Sequence, residues 1–188
     1  MSIWLSRPTR DDLGALIEAA RTAPVAYDPV GMSALAQAPP GYRLDHWSRR
    51  LGRGDDVFNM AADALRSWRV HRGAGLVVWY DGPPAVGAVV AMAARLPVGY
   101  IEAVCRVVDV VDQPDRYGFA YGTLAVHPEQ GEESFTVVRT ADGSVSFEIA
   151  AVSRPRHLLA RACPPGARIL QRAATGRYLD SMSSAVTP

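Results

Sequence analysis

Residues 119–135 read FAYGTLAVHPEQGEESF. Over 116–127 the residues alternate. Tyr117, Phe119, Tyr121, Thr123 and His127 fall on one face, and Gly118, Ala120, Gly122 and Leu124 on the other, the period of a β-strand. The small residues of the second face suit close packing against a helix or another backbone. His127-Pro128 and Gly131 signal turns, after which Glu132 and Glu133 lead into a second strand. Two core strands therefore meet across a polar connection, which either satisfies a tight turn or reaches into a cavity.

The same pattern extends on both sides. GLVVWY, AVGAVVAMAAR, YIEAVCRVVDVV, RYGFAYGTLAVH, ESFTVVRT and VSFEIAAVS read as strands between Gly75 and Arg154. Asp81-Gly82-Pro83-Pro84, Pro97, Gln113-Pro114-Asp115 and Asp142-Gly143 separate them, as in an antiparallel meander. Several strands are apolar on both faces, so the sheet is covered twice or curls round a cavity. YRLDHWSRRLG at 42–52 reads as an edge strand.

Helices flank this block. Thr9–Arg21 is capped by Thr9 and carries a Leu13, Leu16, Ile17 and Ala20 stripe. Residues 25–41 read as a connection with one short strand. GDDVFNMAADALRSW, with Asp55 as N-cap, presents Val57, Ala61, Ala64, Leu65 and Trp68 on one side and Arg66 and Arg69 on a solvated one. At the other end Ser153 caps a helix that Pro164-Pro165-Gly166 breaks before ARILQRAATGRYLDSM continues it. The expected fold is a β-rich α+β domain, a strongly curved antiparallel meander forming a barrel or helix-grip round a cavity. It spans 1–188 as a single domain, with 1–24 as an extra N-terminal helix.

With 188 residues, 48% of them hydrophobic, the chain can build one sizeable core. A net charge of +1 argues against nucleic acid or an acidic membrane as partner. No apolar run is long enough to span a bilayer, and MSIWLSRPTRDD lacks the features of a secretory signal. Cys105 and Cys163 are too few for a disulfide framework and read as small buried hydrophobes, so the expected address is cytoplasmic. The oligomeric state is not legible.

All 20 basic residues are arginine. Without lysine, Schiff-base chemistry, covalent pyridoxal phosphate and a P-loop are excluded. His46, His71, His127 and His157 lack metal-ligand spacing, there is no G-x-S-x-G elbow, and GRG at 52–54 has no preceding buried parallel strand. Cofactor-free and metal-free chemistry remains, or simple binding. Strict alternation over 101–111 places Asp109 with Ile101, Ala103, Cys105, Val107 and Val111, where a carboxylate must be paired, protonated or facing a wet cavity. Glu148 shares a face with Ser146, Ala150 and Val152, and Glu133 with Phe135 and Val137. Tyr121 also reads as a core aromatic, and His127 as a turn residue.

The 119–135 stretch, with CRVV, SRP at 153–155 and GYR through LGRG, resembles an uncharacterised bacterial and plant family known as a domain of unknown function. The hallmark runs from Phe119 to Glu133, and the resemblance from about Tyr27 to about Met182. That family is similar to START-like polyketide-cyclase and lipid-binding domains, which implies a curved sheet round a cavity. Two departures stand out: Met32-Ser33 in place of the usual alanine and threonine after Gly31, and Asp109 in place of an aromatic residue.

Two functions follow as expectations. In one, the chain is a cofactor-free enzyme that cyclises or dehydrates a polyketide-like substrate, for example by acetal or spiroacetal formation. Asp109, Glu148 and Tyr121 would be its catalytic groups, with Glu133 and His127 in reserve, and Thr123, Phe119, Arg106 and Trp79 would bind substrate. In the other, the cavity binds a lipid-like or other hydrophobic small molecule without turnover.

Overall fold

The computed structural model describes residues 3–80, 82–127, 129–155 and 164–187. In chain order the elements are β1 (Ile3–Trp4), α1 (Arg10–Ala20), a 3-10 turn (Met32–Ala34), β2 (Arg43–Arg53), α2 (Asp55–Arg66), α3 (Arg69–Gly73), β3 (Val77–Tyr80), β4 (Val89–Arg95), β5 (Tyr100–Gln113), β6 (Arg116–Thr123), β7 (Glu129–Arg139), β8 (Ser144–Pro155) and α4 (Pro164–Ala185). Among the described residues these make one antiparallel sheet of eight strands and four α-helices. The order is β2-β8-β7-β6-β5-β4-β3, with the short β1 beside β5. Strands β2 and β3 are the two edges and do not pair with each other among the described residues, so the sheet curves without closing: a helix-grip, and not a barrel. No described helix is long and apolar enough to cross a membrane.

The meander register follows the alternation. Phe119 faces Phe135, which faces Ile149, and all three are buried on the inner side of the sheet with Val137, Val145 and Phe147. Helices α2 and α4 close over that side with Phe58, Ala61, Leu65, Tyr178 and Met182. Each fully buried side chain of this size stabilises by about 1.5–3 kcal/mol. On the outer side α1 lays Leu13, Ile17 and Ala20 against Val89, Ala91, Ala93 and Val104. Its start is a capping box: the Asp12 amide donates to Thr9 Oγ1 at 3.2 Å, and the Thr9 amide to Asp12 Oδ2 at 2.8 Å.

Several local readings need correction. Helix α2 starts on Gly54, without a side-chain cap, so Asp55 is its first residue. Trp68 adopts a left-handed backbone (φ 56°) that ends α2 and starts the short α3, an element that helical spacing alone did not reveal. Segment 25–41 holds a 3-10 turn where a short strand was expected. Gly131 lies inside β7, not at a turn. A Cβ there would lie 2.0 Å from the Val152 carbonyl oxygen, so only glycine lets β8 approach this closely. Pro164 and Pro165 open α4, where a missing amide costs nothing. Ser153, expected as a helix cap, lies inside β8 opposite Gly131, and the rest of that expected helix through Leu158, Leu159 and Ala162, with His157 and Cys163, lies outside the described residues.

Candidate functional site

Two carboxylates adjacent in sequence are sent by the pleat to opposite faces of β7. Glu132 points outward and is only 2% exposed. It accepts hydrogen bonds from the Tyr27 hydroxyl (2.8 Å), the Gly31 amide (2.8 Å), the Ser33 amide (3.0 Å) and the Ser33 hydroxyl. These four donors compensate a buried charge and pin the 27–33 strap onto the sheet. Gly122 completes the fit, since a Cβ there would meet the Tyr27 hydroxyl at 2.1 Å. Ser33 keeps the hydroxyl of the threonine it stands for, so this departure leaves the staple chemistry intact.

Glu133 points inward, to a cavity of about 220 Å³ between the sheet and α4. Tyr121, directly across β6, donates its hydroxyl to Glu133 Oε2 at 3.0 Å. The Tyr178 hydroxyl of α4 also engages Tyr121. With Tyr121 bonded to Glu133, two phenols and one carboxyl cluster in the cavity wall. Burial pushes the Glu133 carboxyl up to about 7, partly offset by the Tyr121 bond and reinforced by the charge of Glu129. Burial also raises both tyrosines, so they remain neutral donors.

Apolar side chains fill much of the remaining wall, among them Leu76, Met92, Ile101 and Ala151. His127 and Glu129 stand at the β6–β7 end. His127 Nδ1 lies 3.0 Å from the Glu129 amide and 3.1 Å from the Glu129 carbonyl oxygen, accepting from the one or donating to the other according to the tautomer of the ring. Burial lowers the His127 imidazolium to about 4 and raises the Glu129 carboxyl. Thr123 lines the same cavity while its hydroxyl accepts the Gly131 amide at 3.0 Å.

Asp109 lies elsewhere. Val107 pairs with Tyr121 and Asp109 with Ala120, so Val108 is an extra residue, a β-bulge that inverts the faces beyond it. Asp109 is exposed on the outer face and lines an open groove of about 670 Å³ with Glu148, His46 and Thr136. The expected trio therefore does not assemble: Tyr121 is inside the sheet, and Asp109 and Glu148 are outside it.

The four expected binding residues also separate. Phe119 belongs to the aromatic core beneath the cavity, 4.9 Å from the Trp68 ring. Arg106 holds the end of α1, donating to the carbonyls of Ala20, Arg21, Ala23 and Gly87 at 2.6–3.0 Å. Trp79 packs on α1 under the Arg10 guanidinium, 4.1 Å from its ring. The Arg66 side chain is less solvated than expected, bonded to Asp63 and Asp112 and 4.1 Å from the Tyr117 ring.

Sequence reasoning missed Tyr178 and His71. Tyr178 sits on a helix whose docking face is set by tertiary packing. His71 is fully buried, with Trp68, Phe119, Tyr121, Phe135 and Tyr178 round its ring at 4.7–5.8 Å, and neither ring nitrogen has a hydrogen-bond partner among the described residues. Burial lowers it to about 3, so it is neutral.

The curved antiparallel sheet and the C-terminal helix that it grips over a carboxylate-bearing cavity make a START-like, Bet v 1-like fold. The solved structures agree. A hypothetical protein of Helicobacter pylori superposes with a TM-score of 0.59 at 9% identity, over 88% of this chain and 98% of that one. A norcoclaurine synthase point mutant of Thalictrum flavum, in complex with a transition-state analogue, gives 0.53 at 13% identity over 77% and 94%. More particularly, the chain belongs to the family described as Domain of unknown function (DUF1990), whose model matches residues 26–181. A UPF0548 protein of Deinococcus radiodurans is 30% identical to it over 185 residues, covering 93% of each chain.

Proposed function

We propose that the inner cavity binds a hydrophobic small molecule and that Glu133 moves a proton on it without a cofactor. The observation that carries this reading is a buried carboxyl held near pH 7 and bonded at 3.0 Å to a neutral phenol. Such a group is an acid in one half of its cycle and a base in the other, the poise that proton transfer near neutral pH requires. Tyr121 keeps the carboxyl oriented, and Tyr178 steadies Tyr121. Thr123 shapes the wall.

The reading assigns no chemical part to Asp109 or Glu148, which face the other side of the sheet, and it treats the whole chain as one domain. Cyclisation or dehydration of a polyketide-like substrate is narrowed to what one carboxyl and one phenol can do. The norcoclaurine synthase complex supports it only as a case of this fold holding a transition-state analogue. The cytoplasm remains the address we propose, from the two-cysteine count.

The test incubates a small-molecule extract of the source cells with wild-type protein and with Glu133→Gln, followed by mass spectrometry. Compounds consumed by the wild type alone support catalysis. Compounds bound by both and consumed by neither reduce the protein to a carrier. Failure of the wild type to bind anything would overturn the reading.

A further inference from the structure

We infer that the inner cavity selects an apolar molecule bearing a protonated amine, with its ammonium group on Glu133. This rests on the cavity reading above and names the ligand class that the cavity takes. The argument is the sign of the charge in the wall. Glu133 and Glu129 both point inward from β7, and each electrostatically disfavours another negative charge. Asp45, itself paired with Arg43, adds to the field on Glu129.

No lining residue among those described carries a positive charge to balance them. The chain has no lysine, and His127 is neutral. Arg177, beside Tyr178 on α4, is exposed. Arg72 is held by the Ser67 carbonyl and the Tyr80 hydroxyl. Cys105, buried behind Glu133, is held protonated by burial and by that carboxylate. A carboxylic acid entering here would bring a further negative charge into a low-dielectric space, whereas an ammonium would meet a carboxylate that no described lining residue balances with a positive charge. Tyr121 and Tyr178 line the cavity beside that position, and neither brings a positive charge. Apolar residues line the rest of the cavity, so the amine belongs at one end of a hydrocarbon body.

The experiment compares three probes of one shape: cyclohexylmethylamine, cyclohexylmethanol and cyclohexanecarboxylate, measured by calorimetry and by chemical-shift perturbation. At a slightly alkaline pH the amine should bind at least tenfold more tightly than the alcohol, and the carboxylate more weakly than both. In Glu133→Gln the amine and alcohol should converge while the alcohol keeps its affinity. Lowering the pH of the wild type from about 8 to about 6 protonates Glu133 while the amine stays an ammonium throughout, and should shrink the preference in the same way without any mutation. An alcohol as tight as the amine, a tighter carboxylate, or a preference that survives Glu133→Gln would overturn the inference and leave the cavity reading standing. Binding of none of the three would overturn both.

Discussion

Glu132 and Glu133 are consecutive residues of β7 that face opposite sides of the sheet. Glu132 lies in a cage of four donors from the 27–33 strap, and Glu133 in the inner cavity against the Tyr121 hydroxyl. One carboxylate holds the strap to the sheet, and its neighbour is the one to which we assign proton transfer. Substitution should separate the two roles. Glu132→Ala leaves three buried groups without their acceptor and should cost about 3–5 kcal/mol, read as an unfolding midpoint shift in denaturant. Glu133→Ala removes a carboxyl that burial disfavours and should change stability by far less. Equal destabilisation by the two would contradict this division.

Tyr121→Phe removes one hydrogen bond and little else. That bond lowers the Glu133 carboxyl, against the burial that raises it to about 7. The variant should therefore titrate Glu133 above the wild-type value, as followed by carboxyl carbon resonances. The folded carboxyl binds its proton more tightly than the unfolded one, with its usual value near 4.5. Glu133 thus contributes stability that is full below about 4.5 and is lost as the pH rises to about 7. In Glu133→Gln that decline should disappear from the stability–pH curve.

His71 makes the opposite contribution. Its imidazole is lowered to about 3 by burial, so the unfolded chain binds the proton more readily. The penalty is absent above about 6.5 and grows as the pH falls toward 3. His71→Leu should flatten the acid side of the curve. It should also raise stability near neutral pH by about 1–3 kcal/mol, because two buried nitrogens without partners are replaced by hydrocarbon. Thermal melts between about pH 4 and 7 check both effects. A loss of stability at every pH would mean that the ring has a partner in solution.

Arg106→Met keeps much of the stem of the side chain and removes four hydrogen bonds to backbone carbonyls, three of them at the end of α1. Its cost should be about 2–3 kcal/mol. Amide exchange should accelerate in α1 and hardly at all in β6 and β7. Binding in the inner cavity should be unchanged.

Much of the fold was legible because strand periodicity is local. The alternation of Tyr117, Phe119, Tyr121 and Thr123 against Gly118, Ala120 and Gly122 correctly sorted inner from outer residues. It also placed Glu133 with Phe135 and Val137 on the inner face. The same rule failed at Asp109 because one extra residue, Val108, inverts every face beyond it, and nothing in CRVVDVV distinguishes a bulged strand from a regular one. Arg106 was misread for a related reason: an arginine on a strand looks the same whether it meets a substrate or the end of a helix.

By itself, the sequence determined an antiparallel meander with helices at its flanks, the absence of lysine chemistry, and the pair of strands that carries Tyr121 and Glu133. These rest on composition and on contacts between near neighbours, which a linear pattern can encode. Only the tertiary structure decided which carboxylate is caged and which stands in the inner cavity against a phenol. Tyr27 and Glu132 are 105 residues apart, and Tyr178 arrives on a helix from the far end of the chain. The environment of a buried acid is made by groups that folding brings together, and those distances have no local signature.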